Sequence, residues 1–67
     1  MNAQKINEKA VPEAVKSEFK SKYPSVSKVK WEKEELNFEA EFEINKVESS
    51  VVLDGSGKIL EIESEIS

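Results

Sequence analysis

The 67-residue chain contains no cysteine and no histidine. A chain without cysteine forms no disulfide, and one without either residue cannot hold a zinc-finger ligand set. The absence of histidine also removes the usual base that activates a serine nucleophile. A domain of this size without such staples relies on one hydrophobic core, which supplies only ~3–5 kcal/mol of net stability. We therefore expect a single domain that uses nearly all its apolar residues in one core, or that associates with other copies.

Long apolar runs and net positive charge are also missing. No segment approaches the ~20 apolar residues of a membrane-spanning helix, so we expect no membrane insertion. The net charge is −4, and an acidic chain repels nucleic acid phosphates, so we expect no nucleic acid partner. Residues 1–33 carry eight Lys against four Glu, whereas residues 34–67 carry two Lys against ten acidic residues. This asymmetry indicates a basic half and an acidic half that complement each other within one fold.

One amphipathic helix is predicted from Pro12 to Tyr23. Proline suits the first turn of a helix because its φ is fixed and its missing N–H needs no partner there. Val11, Val15 and Phe19 recur every four residues and continue to Tyr23, which gives one apolar stripe. Pro24 ends the helix, because the residue before a proline disfavours helical geometry. Residues 1–10 are polar and are predicted to be a flexible lead-in, with the domain spanning residues 11–67.

Four strands follow the helix, at residues 25–33, 37–44, 47–54 and 59–66. Apolar and acidic side chains alternate in residues 38–44 and again in residues 60–66, which is the period of a strand with one buried face. Asn45-Lys46 predicts a two-residue hairpin, and residues 54–58 are the strongest turn signal in the chain. The predicted fold class is α+β, with one N-terminal helix packed on one face of a four-stranded antiparallel meander.

These turns predict a register in which the apolar residues of all strands share one face. The predicted rows are Trp31–Phe38–Leu53–Leu60, Val29–Ala40–Val51–Ile62, Ser27–Phe42–Ser49–Ser64 and Ile44–Val47–Ile66. We expect the helix stripe to cover this face, so Trp31 and Tyr23 are interpreted as core residues rather than binding aromatics. Val52 and Ile59 fall on the opposite face.

The opposite face is predicted to be acidic. There Lys30 is expected opposite Glu39 and Lys28 opposite Glu41, as stabilising cross-strand pairs. Further along, the glutamates have no predicted lysine partner; these are Glu43, Glu48, Glu63 and Glu65. A row of like charges is either a plain solvated surface or a patch that attracts a cationic partner or Ca²⁺. These four glutamates are the candidate binding residues.

No motif in the chain predicts catalysis, a cofactor or a dedicated metal site. Paired carboxylates on an open sheet face lack the pocket that raises the pKa of a general acid. Gly55-Ser56-Gly57 resembles part of a phosphate loop, but no helix follows it. Asp54 and Ser56 lack the further oxygen ligands of a calcium loop. We therefore expect a protein that is not an enzyme.

The chain resembles the PepSY-like family, small bacterial domains related to half of a β-lactamase-inhibitor protein. The resemblance covers residues 11–66 and is carried by Tyr23-Pro24 after the helix, Trp31-Glu32 in the first strand and the turn from Asp54 to Lys58. It implies one helix and four strands, a periplasmic or cell-surface location, and a binding or inhibitory role without enzymatic activity. The chain shows one repeat where the inhibitor has two, and no signal peptide is visible at its start.

The sequence thus predicts a module that binds a protein or peptide through its acidic sheet face. The alternatives are a homo-oligomeric assembly domain, in which edge strands or sheet faces of two copies pair, and a weak Ca²⁺-binding periplasmic domain. A cytoplasmic location is the alternative to the periplasm.

Overall fold

A computed structural model describes residues 3–65, and its elements form one antiparallel sheet with a helix on one side. In chain order they are β1 (Gln4–Ile6), a 3₁₀ helix (Glu8–Ala10), α1 (Glu13–Lys22), β2 (Lys30–Glu34), β3 (Asn37–Ile44), β4 (Val47–Asp54) and β5 (Ile59–Ser64). The strands lie in the order β1-β2-β3-β4-β5. The α+β class is confirmed, but the prediction of four strands is wrong, because residues 3–65 form five.

The additional strand, β1, lies inside the segment predicted as a lead-in. It pairs antiparallel with β2, and Ile6 lies opposite Trp31. Ile6 is half-buried and packs against the core, so this single apolar residue anchors the segment. Lys5 lies opposite Glu32 on the other side of the sheet. Because β1 covers β2, the edge strands of the sheet are β1 and β5.

The helix forms as predicted, with Pro12 before its first residue and Tyr23 after its last. The Tyr23 N–H donates to the Phe19 carbonyl at 2.9 Å, which closes the final turn. Val15 and Phe19 are buried, and both belong to the predicted apolar stripe. The regular structure ends before Pro24, where the chain turns towards β2.

Aromatic side chains join the carboxyl end of α1 to the sheet. The ring centroid of Phe19 lies 5.5 Å from that of Trp31 and 5.1 Å from that of Phe42, both in edge-on geometry. Tyr23 lies 4.8 Å from Phe42. Offset and edge-on aromatic pairs add stability beyond the area that they bury. Trp31 is buried, and Tyr23 is half-buried and packs against the core, as predicted for core residues.

The amino end of α1 rests on the turn between β4 and β5. Gly57 adopts φ +95°, and a Cβ built on it would lie 2.7 Å from the carbonyl oxygen of Ala14. The backbone therefore approaches the helix closely at a position that only glycine fills without strain. The helix is thus fixed at both ends, by this contact and by the aromatic cluster.

The β3–β4 hairpin has the predicted register. Phe38 lies opposite Leu53, Ala40 opposite Val51, and Ile44 opposite Val47. Asn45 and Lys46 both have positive φ, at 53° and 65°, which is the geometry of the two-residue hairpin turn that matches strand twist.

The predicted β2–β3 register is wrong by two residues. Trp31 lies opposite Ala40 rather than Phe38, because the turn closes at Glu35-Leu36 and pairs Glu34 with Asn37. Glu35 takes the positive φ of this turn, at 56°. Residues 26–29, predicted as strand, have no regular structure. The shift places the largest core side chain opposite one of the smallest.

The β4–β5 pairing is partly as predicted. Val51 lies opposite Ile62 and Ser49 opposite Ser64, but an irregularity between Val52 and Leu53 pairs Leu53 with Ile59 instead of Leu60. Ile59 therefore packs against the core, whereas it was predicted on the opposite face. Leu60, predicted in the core, is 48% exposed. The predicted position of Ile66 lies outside the described residues.

Candidate acidic binding face

The sheet surface opposite α1, which we call the outer face, carries most of the acidic side chains of the chain. Alternation along the strands assigns it, since the core residues occupy the other face. Its glutamates are Glu32, Glu34, Glu39, Glu41, Glu43, Glu48, Glu61 and Glu63, with Glu65 continuing the series after β5. The lysines that the strands place there are Lys5 and Lys30. Within residues 3–65, the ion pair that forms is Lys16–Glu13, on the helix.

The like charges are most concentrated around Glu39. Glu32 lies directly opposite it, and carboxylate oxygens of Glu32, Glu39 and Glu41 lie within 4.8 Å of one another. Burial raises the pKa of Glu39 above its ordinary value, and the negative charges of Glu41 and Glu32 raise it further. The centre of the outer face thus holds its charge at a cost to stability.

The predicted pairing of lysines with Glu39 and Glu41 is wrong. Lys30 lies opposite Glu41 rather than Glu39, and Lys28 precedes β2 instead of pairing within it. The two-residue shift of β2 moves Glu32 into the position predicted for Lys30. The region around Glu39, predicted to be balanced by lysine, is therefore the one where carboxylates meet most closely.

The four candidate residues from the sequence line one groove of about 840 Å³; they are Glu43, Glu48, Glu63 and Glu65. Glu43 lies opposite Glu48, and the Glu65 N–H donates to the Glu48 carbonyl at 2.9 Å. All four side chains are exposed. The groove is open to solvent.

The opposite wall of the groove carries charges of both signs. Lys28 and Lys30 line it beside the end of β2, together with Glu8 from the 3₁₀ helix. The groove therefore has an acidic side formed by β3, β4 and β5 and a mixed wall near β2. A ligand lying across it meets carboxylates on one side and both lysines and a glutamate on the other.

Replacing Glu39 with glutamine should stabilise the fold at neutral pH and low salt. Because the pKa of Glu39 is raised in the folded protein, its ionisation opposes folding at a pH above that pKa. The penalty disappears as pH falls through the raised pKa and is absent below the ordinary value of 4.5. We expect a gain of a few tenths of a kcal/mol, the lower range for opposed cross-strand charges after screening.

The measurement is urea denaturation at pH 7 and pH 4, at low and high salt. Glu18→Gln, on the exposed side of the helix, is the matched control and should change stability little at either pH. A stabilisation by Glu39→Gln that persists unchanged at pH 4 would contradict the assigned cause.

The Asp54 side chain is engaged in the β4–β5 turn rather than offered to a ligand. Its Oδ1 accepts hydrogen bonds from the Ser56 N–H at 2.9 Å, the Ser56 hydroxyl at 2.6 Å and the Lys58 N–H at 3.0 Å. The hydrogen bond from the Ser56 hydroxyl, followed by that from the Lys58 N–H, lowers the pKa of Asp54. The turn leads directly into β5, so it is a hairpin connection, as its sequence predicted.

The chemistry of the outer face is that of exposed carboxylates. The grouping of Glu32, Glu39 and Glu41 could offer three oxygens to a cation, but exposed carboxylates commonly group in this way without one, and we assign no metal to it. Sequence reasoning missed this grouping because it depends on the β2–β3 register. The alternation of glutamates in both strands was the available signal.

No family model, curated protein or solved structure matches the chain. The resemblance to the PepSY-like family therefore stays a prediction from the sequence.

Within residues 3–65, α1 is neither long enough nor apolar enough to cross a membrane.

Proposed function

We propose that the chain is a non-enzymatic module that binds a basic protein or peptide on its outer face. The observation that carries this proposal is the charge of that face, where nine glutamates accompany two strand lysines. A purely structural sheet surface gains nothing from directly opposed glutamates such as Glu43 and Glu48, which destabilise the fold mildly. Their presence favours a surface that is neutralised when a cationic partner binds.

Distance makes these carboxylates act together. Neighbouring strands lie ~4.8 Å apart, well inside the ~8 Å screening length at physiological salt. The potentials of adjacent glutamates therefore add over the whole face and speed the encounter with a positively charged partner. The groove beside Glu43 and Glu48 gives such a partner a concave place to lie.

The resemblance to the PepSY-like family supports the same role, because it implies a domain that holds a protein partner against its sheet. It also implies a periplasmic or cell-surface location, which we include in the proposal. Two observations support binding over catalysis. The outer face is open, and none of the residues buried in the described part of the chain is polar or charged.

Reversing two charges of the groove tests the proposal. The double variant Glu43→Lys and Glu65→Lys should lose most of its binding to a lysine-rich peptide, because it puts positive charge on the acidic wall. The loss should be about tenfold or more at low salt and smaller at high salt, as screened charge pairs require. Fluorescence anisotropy of a labelled peptide of nine lysines measures it.

The matched control is Glu13→Lys with Glu18→Lys, which changes the net charge equally but on α1. Circular dichroism establishes that both variants are folded. We expect the control to bind the peptide nearly as well as the parent protein. Equal losses in the two double variants would mean that only net charge matters, and would refute a specific acidic face.

A further inference from the structure

β5 is an edge strand, and the backbone N–H and C=O groups on the side away from β4 have no partner in the described sheet. It pairs with β4 along one side and is last in the strand order. The Glu65 N–H points towards β4, since it donates to Glu48. Backbone groups alternate in direction along an antiparallel strand, so those of Ile62 and Ser64 point to the open edge. Such a row is a template for another strand.

The helix side of β5 carries an apolar residue, Ile62, that is incompletely covered. Ile62 is 47% exposed, although Val51, directly opposite it, is fully buried. Leu60, which has no partner on β4 at the irregularity, is 48% exposed. The contacts of α1 explain this difference, because its aromatic side chains meet Trp31 and Phe42 on β2 and β3. The helix thus covers the middle of the sheet and leaves Ile62 on β5 accessible.

The outer side of β5 is acidic. Glu61 and Glu63 belong to the outer face, and Glu65 continues the series. β5 therefore combines three features along one edge: free backbone groups, an apolar side and an acidic side. A strand that satisfies all three has alternating apolar and basic residues.

We propose that β5 accepts an extended segment of alternating apolar and basic residues as a sixth strand of the sheet. The apolar residues of that segment cover Ile62, and its basic residues meet Glu61 and Glu63. The inference rests on the proposed function for the charge of the partner, and it adds the site, the conformation and the sequence pattern that the partner must have.

Charge favours such a segment over a second copy of the chain. In antiparallel self-pairing centred on Ile62, Glu61 of one copy would lie opposite Glu63 of the other, twice in each dimer. Like charges directly opposite each other destabilise a sheet. The other edge of the described sheet is a poorer template, because β1 has only three residues.

Backbone methylation of a probe peptide tests edge pairing without altering the protein. The probe is a nonapeptide of alternating lysine and valine, prepared unmodified, with N-methylated valines, and with N-methylated lysines. In an antiparallel addition the valines face Ile62 and direct their N–H groups at β5. We expect the valine-methylated peptide to bind about tenfold or more weakly, since it cannot donate these hydrogen bonds, and the lysine-methylated peptide to bind nearly as well as the unmodified one.

Amide hydrogen exchange of the protein gives the second readout. The Ile62 and Ser64 amides should become protected when the unmodified peptide binds, while the helix amides should not change. Ile62→Pro removes one outward N–H, which an edge strand tolerates, and should weaken binding more than Ile62→Val does.

The outcomes separate this inference from the proposed function. Binding that is lost in Glu43→Lys with Glu65→Lys, but is equally strong for both methylated peptides, would overturn the edge site and leave the acidic face intact. No binding of any lysine-containing peptide would overturn both. Self-association of the protein in sedimentation, blocked by Ile62→Pro, would identify a second copy as the occupant and overturn the proposed partner.

Discussion

Replacing Leu53 with alanine is expected to unfold most of the protein at 25 °C. Leu53 is fully buried on β4, opposite Phe38 of β3. Truncating a buried leucine to alanine costs about 2–5 kcal/mol, depending on how far the cavity collapses. A domain of this size has a total stability of only ~3–5 kcal/mol, so one such cavity consumes most or all of it.

The expected readout is a loss of the far-ultraviolet dichroism and a large shift of the urea midpoint. Leu36→Ala provides the matched control, since Leu36 is 82% exposed in the β2–β3 turn. It should change the free energy of unfolding by no more than about 0.5 kcal/mol. If the two leucine variants were equally stable, the core as described would be wrong.

Replacing Gly57 with alanine is the second change with a large expected effect. The added Cβ would meet the Ala14 carbonyl oxygen at 2.7 Å and would sit on a backbone of φ +95°. The backbone conformation alone costs about 1–3 kcal/mol for a residue with a side chain, and relieving the clash requires moving the first turn of α1. We expect a loss of at least ~2 kcal/mol from these two causes together.

The same turn supplies the control for this prediction. A Cβ on Gly55 would have nothing within 4 Å, and its φ is not positive. Gly55→Ala should therefore be neutral or slightly stabilising, because alanine restricts the unfolded chain more than glycine does. Thermal denaturation of the pair measures the difference. A Gly55→Ala variant less stable than Gly57→Ala would contradict the packing of the helix on this turn.

The central hairpin and the helix were predictable because several independent local signals agree there. Asn45-Lys46 fixes the β3–β4 turn, and the alternation from Phe38 to Ile44 fixes which face is buried. The stripe of Val15 and Phe19, with a proline at each end, defines the helix. These elements depend little on distant parts of the chain.

The β2–β3 register was not predictable from alternation, because a shift of two residues leaves every side chain on the same face. The predicted rows through Phe38 and Ala40 are entirely apolar, whereas the observed pairing places Lys33 opposite Phe38, so apolar content alone would have favoured the wrong register. The turn at Glu35-Leu36 sets the observed pairing, which places Trp31 opposite Ala40 and the Lys33 amino group 5.9 Å over the Phe38 ring. Volume complementarity between strands is a tertiary property that no single segment displays.

β1 and the irregularity in β5 were missed for a related reason. A strand of three residues with one apolar side chain, Ile6, carries too little pattern to distinguish it from a loop. The exchange of Ile59 for Leu60 opposite Leu53 follows from how the turn after Asp54 closes under the helix. Both features depend on contacts with a neighbouring element, β2 for the first and α1 for the second.

The candidate site was predictable from the sequence only where the strand pairing was predicted correctly. The positions of Glu43 and Glu48 follow from the correctly predicted β3–β4 hairpin, and those of Glu63 and Glu65 from alternation along β5. One groove gathers all four. The close carboxylates around Glu39 follow from the β2 register and were not foreseen. Alternation therefore located the acidic face, but not where its charge is densest.

The most direct test of the acidic binding face is a nuclear magnetic resonance titration of the ¹⁵N-labelled protein with the peptide of nine lysines. Amide shifts should concentrate on the outer face and its groove, including Glu41, Glu43 and Glu48, and should weaken as salt is added. Glu13 and Glu18 on α1 serve as an internal control with the same chemistry on the opposite side. Shifts spread equally over α1 and the sheet, or no shifts at millimolar peptide, would contradict the proposal.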